Sequence, residues 1–432
     1  MKRLLKNCDI LAGSPAEGKV IRNGYLGIDG PTITYIGAEM PTDGYDEAKD
    51  MKGCLLIPGL VNCHCHAPMV LLRGVGSDLP LQEWLFGKIM PVEANLNEED
   101  IVAGSQLAIL EMLACGITSF TDMYYYPDQT AQVVIDSGIK ANLCLPLTCQ
   151  DPEMKGEDCQ RITDAMAFYK AFNGKADARL LVDFGIHSEY LTTPRTVEYF
   201  SALCRQEGGR IHLHLSETLR EHKECKERYG KTPTEWFRDL GTLDSPVLAA
   251  HCVHCEDTDL DILAEKKTSF IHNPSSNMKL GSGFAPVVKA LQKGVNVVLG
   301  TDGAASNNNL NMLEEMHLAA VIHNGYHRDA TVVPPGAVIR MATTAGAKAQ
   351  GRSDTGELMV GNKADIAAVS FDAPHMYPAP DILPMLTYAV QAGDVQTTIV
   401  DGNILYDNSS YLTLDAEQVR YHVGRSVRRL LG

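Results

Sequence analysis

The chain has 432 residues, of which 45% are hydrophobic and 21% charged, and a formal net charge of −16. These values describe a folded globular protein and exclude a disordered or fibrous one. The acidic balance, with no cluster of Lys and Arg, argues against a nucleic-acid-binding surface, so a small or uncharged ligand is expected.

The opening stretch, Met1 to Ile10, starts with positive charge, but Lys6 and Asp9 interrupt the apolar run that a signal peptide needs. No stretch reaches the roughly 18 apolar residues of a membrane helix. A cytoplasmic protein without membrane contact is expected, its 12 cysteines free thiols that pack as small apolar groups. Residues 1–56 alternate short strand-like runs with turns, and the same texture returns in Lys363–Phe371 and Gln396–Tyr406. Segments 1–56 and 353–432 are therefore expected to build one small β-sandwich domain together, closed by a helix from about Asp415 to Leu431.

Residues 57–352 follow a different rhythm. Continuous apolar runs recur about every 25 to 35 residues with helix-like segments between them, the pattern of an α/β protein of the (β/α)8 TIM-like barrel type. The predicted strands are Leu55–Asn62, Ile117–Asp122, Ala141–Leu147, Leu180–Ile186, Arg210–Leu215, Val247–Ala250, Thr268–Ile271 and Asn296–Gly300. In such barrels chemistry gathers at the carboxyl ends of the strands, and six of these ends are loaded. Strand one ends in His64-Cys-His66, four in His187-Ser-Glu, five in His212-Leu-His-Leu-Ser-Glu217, six in His251-Cys-Val-His254, seven in His272-Asn-Pro and eight in Thr301-Asp-Gly303.

Six such ends around one ring point to an inward-facing metal site of N and O ligands with one position open for water. Strand alternation turns His64 and His66 to the same side and Cys63 and Cys65 to the other, against the helical layer. Asp302 is the natural carboxylate, because a closed barrel brings strand eight beside strand one. His212 and His214 both face inward on a regular strand. His214, nearer the carboxyl end and three residues before Glu217, is the better ligand, with His212 a deeper layer residue. His254 is read as a supporting residue, and His272 as a side chain whose loop brings it within reach of the pocket.

Pro58-Gly-Leu-Val-Asn-Cys-His-Cys-His66, His212-Leu-His-Leu-Ser-Glu217, Ala250-His-Cys252 and Thr301-Asp-Gly-Ala-Ala-Ser306 together resemble the amidohydrolase superfamily. Within it the chain looks like the 5-methylthioadenosine/S-adenosylhomocysteine deaminases, which are related to guanine deaminases and triazine chlorohydrolases. The resemblance spans nearly the whole chain. It implies one divalent ion, Zn²⁺ with Fe²⁺ or Mn²⁺ as alternatives, held by His64, His66, His214 and Asp302, and it suggests a homo-oligomer.

The activity so implied is hydrolytic removal of the 6-amino group of 5′-methylthioadenosine, S-adenosylhomocysteine or adenosine. Asp302 would accept the water's proton, Glu217 would protonate the ring nitrogen, and His251 would steady the added oxygen. For the substrate, Glu93 is expected to take both ribose hydroxyls, and His187 to bond the purine or its sugar. Trp84, Leu85 and Phe86 would wall the 5′ end, and Arg161 would meet an amino-acid carboxylate. Two readings compete. A deaminase or chlorohydrolase for guanine or an s-triazine would not need Glu93 on a ribose, and a metal-containing binding protein would be indifferent to loss of the Glu217 carboxylate.

Overall fold

The structure, a computed structural model, describes residues 1–42 and 44–432. Its centre is a ring of eight parallel strands. Strand one (Leu60–Cys65) pairs with strand two (Ile117–Met123), which pairs with strand three (Lys140–Cys144, then Pro146–Leu147). Strand four also comes in two pieces: Leu180–Val182 pairs with the first piece of strand three and Phe184–Ile186 with the second. Ladders then run through strand five (Ile211–Leu215), strand six (Val247–His251), strand seven (Ser269–His272) and strand eight (Asn296–Leu299). The Asp302 N–H donates to His64 O at 2.9 Å and joins strand eight to strand one.

That last junction leaves no room for a side chain: a Cβ on Gly300 would lie 2.9 Å from both the Cβ and the backbone nitrogen of His64. Helices follow the strands as the sequence leads one to expect. Thr193 caps the helix Pro194–Glu207 reciprocally with Thr196, and Asn97 does the same with Asp100 for Glu98–Ala114. The closing helix is Ala416–Leu431, capped by Asp415.

The two ends of the chain share one nine-stranded sheet, in which strands from 366–370, 395–400, 403–407 and 410–411 join strands from the first 58 residues. The expected sandwich is thus one continuous set of ladders. Successive residues face opposite sides: Leu56, Ile366 and Ala368 belong to a core of their own with Leu5, Ile10, Leu26 and Ile28, while Leu55, Ile57, Ala367 and Val369 join the large core around the barrel. This period of two gives the sheet one face with a core of its own and one face packed into the large core.

Two details of strand one depart from the sequence reading. The run Leu55–Asn62 is not one strand, because Cys54–Pro58 pairs with Ile366–Ser370 in the terminal sheet and the barrel strand begins at Leu60. Gly59 makes the step, with Thr118 so close that a Cβ there would lie 2.2 Å from it. Cys63 also does not share the side of Cys65. A register shift between Asn62 and Cys65 breaks the alternation, so that Cys65 joins the outer core, while Cys63 belongs to a second cluster with Leu248, Ala250, Ile271 and Val298 and with Ala345 and Ala347 of the helix Thr344–Ala349. Leu248 and Ala250 are cross-strand neighbours of His212 and His214. All 12 cysteines are free, and among the described residues no helix is long and apolar enough to cross a membrane.

Candidate metal centre and active site

His64 lies next to the last residue of strand one and His66 just beyond it, His214 near the end of strand five, His251 at the end of strand six, and Asp302 beyond strand eight. Ligand-type atoms of His64, His66 and His214 lie within 4.8 Å of one another, as do those of His64, His251 and Asp302. Asp302 Oδ1 is 3.3 Å from Nε2 of both His64 and His66. His251 and Asp302 adopt positive φ, 73° and 62°, a conformation that costs non-glycine residues about 1–3 kcal/mol and collects at functional sites.

The imidazoles are aimed from behind. His66 Nδ1 donates to Met123 O and His214 Nδ1 to His187 O, each at 2.6 Å, so both Nε2 atoms present lone pairs to the centre. Those two nitrogens are 3.4 Å apart, and two lone pairs at that distance call for a cation between them. His64 Nε2 is buried without a hydrogen-bond partner. Three such nitrogens and one carboxylate are a donor set for a single divalent ion with a position left open, and the residues fit one. His212 lies behind, its Nε2 2.8 Å from His64 Nδ1.

The electrostatics agree. Burial pushes His64 down to about 4 and His187 to about 3, and holds His214 well below the ordinary imidazole value, so these rings are neutral at pH 7. His66 is the exception: burial would lower it too, but the Asp302 carboxylate outweighs burial and lifts that ring to about 9, so an ion bound there must displace the proton from Nε2 before that lone pair is offered. Burial would raise Asp302, yet His64 and His66 beside it hold the carboxyl well below its usual range. Asp302 Oδ2 accepts from Ser276 Oγ at 2.6 Å and from Ser306 Oγ at 2.8 Å, which turns Oδ1 to the histidines.

Glu217 is buried beyond strand five, and burial raises its carboxyl. Its Oε2 is 3.9 Å from His251 Nε2. Its backbone N–H donates to Glu221 Oε2 at 2.8 Å and that of Ser216 to Glu221 Oε1 at 2.9 Å, so Glu221 holds this corner. His251 Nδ1 donates to Asn277 Oδ1 at 2.9 Å and leaves Nε2 toward the site. Removing that partner frees the ring to rotate and change tautomer. Asn277→Ala is expected to lower kcat about tenfold with little change in KM, as losses of supporting partners do, measured by steady-state ammonia release.

Trp84, Glu93 and His187 line the cleft that opens over His66, His214, Glu217, His251 and Asp302. Arg161 does not reach that cleft. It borders a neighbouring depression that shares Glu93 and Tyr125, with its guanidinium 5.7 Å from the Tyr125 ring centre. Leu85 lines the cleft, but Phe86 is 48% exposed and turns to solvent instead of walling it. His272 is not at the pocket: it is buried, with its Nε2 3.0 Å from His323 Nε2. His254 bonds Ser282 O at 2.9 Å, away from the cleft.

Ser276, Asn277, Tyr124 and Glu315 were not singled out from the sequence. Glu315 accepts from Ser275 N–H at 3.1 Å and Asn307 Nδ2 at 3.2 Å, and so ties the loop after strand seven to the loop after strand eight. Burial lifts its carboxyl to about 8. Over pH 4.5 to 8 the folded state therefore keeps a proton that the unfolded chain releases, and this contribution to stability is full below about pH 4.5 and is lost as pH rises toward 8. Glu315→Gln is expected to flatten the fall in unfolding midpoint across that window, as read by thermal melts at several pH values.

Residues 55–405 match the amidohydrolase family, and the chain belongs to it. It is 41% identical over the full length of both chains to a 5-methylthioadenosine/S-adenosylhomocysteine deaminase of Acetivibrio thermocellus. It is 43% identical to a 5′-deoxyadenosine deaminase of Methanosarcina acetivorans, covering 96% of this chain and 95% of that one. A solved adenosine deaminase from Xanthomonas campestris with bound zinc superposes with a TM-score of 0.93, 28% identity, and coverage of 99% and 98%.

Proposed function

We propose that the chain is a metal-dependent hydrolase that converts the 6-amino group of an adenosine analogue to the 6-oxo group and releases ammonia. The observation that carries this reading is the pair of overlapping triads, His64 with His66 and His214 and His64 with His251 and Asp302, joined where Asp302 Oδ1 lies 3.3 Å from Nε2 of His64 and His66, beneath a cleft that also holds Glu217 and Glu93. A divalent ion held there, zinc being the one in the Xanthomonas structure, supplies Lewis acidity that makes water a nucleophile near neutral pH.

The chain's own residues move the protons. As the water oxygen bonds to C6, Asp302 takes one of its protons and Glu217, whose hold on a proton burial strengthens, gives its proton to N1. His251 Nε2 orients the attacking water by accepting a hydrogen bond from it. Asp302 then passes its proton to the amine, the C6–N bond breaks, and ammonia leaves. Glu217 regains a proton from the new C6 hydroxyl, which becomes the carbonyl. Both carboxyl groups finish as they began.

Around the reacting ring, His187 faces the purine or its sugar, Glu93 the ribose, and Trp84 and Leu85 the apolar 5′ end. The depression beyond Glu93 gives Arg161 a place beside a 5′ substituent that ends in a carboxylate. The test is ammonia release from methylthioadenosine, S-adenosylhomocysteine, 5′-deoxyadenosine, adenosine, guanine and a chloro-s-triazine on one metal-assayed preparation. Turnover of the nucleosides is expected, and activity confined to the free base or the triazine would refute the reading.

A further inference from the structure

Tyr124, just past the end of strand two, is 4% exposed, and its backbone N–H is tied to Cys144 O at 3.3 Å. Its phenol donates to Glu93 Oε1 at 2.6 Å. Glu93 stands at the end of the short helix Met90–Glu93 that follows the π-helical turn Leu85–Ile89. A ring fixed on the barrel thus holds a carboxylate carried by a short helix, and one of its two oxygens already accepts a hydrogen bond before any ligand enters. Burial and the neighbouring Glu93 charge keep the phenol well above its ordinary pKa, so it remains a donor.

We propose that Tyr124 is a positioning and specificity residue: it occupies one lone pair of Glu93 Oε1 and leaves Oε2 wholly free, so that the two hydroxyls of the diol are read unequally. One hydroxyl donates to the unshared Oε2. The other must share Oε1 with the phenol, or turn to the phenol oxygen or water, and makes the weaker bond. A hydrogen bond to an unshared carboxylate oxygen is worth more than one to a shared or neutral acceptor, so losing the first costs roughly 10- to 100-fold in affinity and losing the second about 2- to 10-fold. A carboxylate with both oxygens free would instead treat the hydroxyls alike. This inference rests on the nucleoside reading of the pocket.

The experiment compares kcat/KM for adenosine, 2′-deoxyadenosine and 3′-deoxyadenosine in the wild-type protein and in Tyr124→Phe. In the wild type one deoxy isomer is expected to lose at least about tenfold more than the other, a result that needs no variant to fold. In Tyr124→Phe the two losses should converge to within about threefold through KM, because both Glu93 oxygens are free, with metal content unchanged. Equal losses in the wild type, or an asymmetry untouched by the substitution, would overturn Tyr124's role while leaving the deaminase reading intact. Absence of turnover on every nucleoside would remove both.

Discussion

Glu217→Gln is expected to lower deamination by about 10³-fold or more, since general acid–base groups each contribute about 10²- to 10⁴-fold and this one serves both at N1 and in forming the carbonyl. The amide keeps the shape and the buried position beside His251. It has no proton to give and takes none back. Glu217 does not belong to either group of side chains whose atoms converge on the candidate metal point, so the variant should hold as much metal as the wild type. Ammonia release together with metal content by elemental analysis reads both halves of the expectation. An active variant would shift the proton relay to Asp302 or His251.

Asp302→Asn is expected to lose both metal and turnover. The carboxylate faces two imidazole nitrogens at 3.3 Å with one oxygen, while the other accepts from Ser276 and Ser306. An amide placed there must either present its NH₂ to the cation or turn it toward hydroxyls that were donating. Neither orientation preserves the site. The loss of negative charge also removes the base for the attacking water, so activity should fall by about 10³-fold or more even when metal is supplied in excess. Unfolding midpoint and metal content measured side by side separate this from a loss of fold.

Much of this site is legible in the chain because a parallel barrel makes sequence and geometry coincide. Each buried strand is a continuous apolar run, and whatever ends it stands at the mouth. That is why His64, His66, His187, His214, Glu217, His251 and Asp302 can be found by reading strand ends. The limits are as physical. Strict alternation fails at the bulge before Cys65, which sets Cys63 and Cys65 in different clusters. Gly59 splits one apolar run between two sheets, a step visible only once Thr118 is seen against it.

Residues that act through others leave a weaker trace. Ser276 and Asn277 lie in the short helix Pro274–Lys279 after strand seven, where His272 is the conspicuous residue and is paired with His323. Their partners, His251 and Asp302, are 26 residues away in each case. Tyr124 leaves little trace because strand two ends in Asp122-Met-Tyr with no histidine to mark its mouth. Glu315 sits inside a helix, where a buried acid reads as an ordinary surface charge until its two loop partners are known.

The most direct measurement is metal content against activity in the wild-type protein, before chelation, after it and after titration of zinc back into the stripped protein. The account requires activity to vanish with the ion and to return in proportion to metal bound, saturating at one ion per chain. Full activity in a preparation free of divalent metal, or saturation only at two ions per chain, would contradict it.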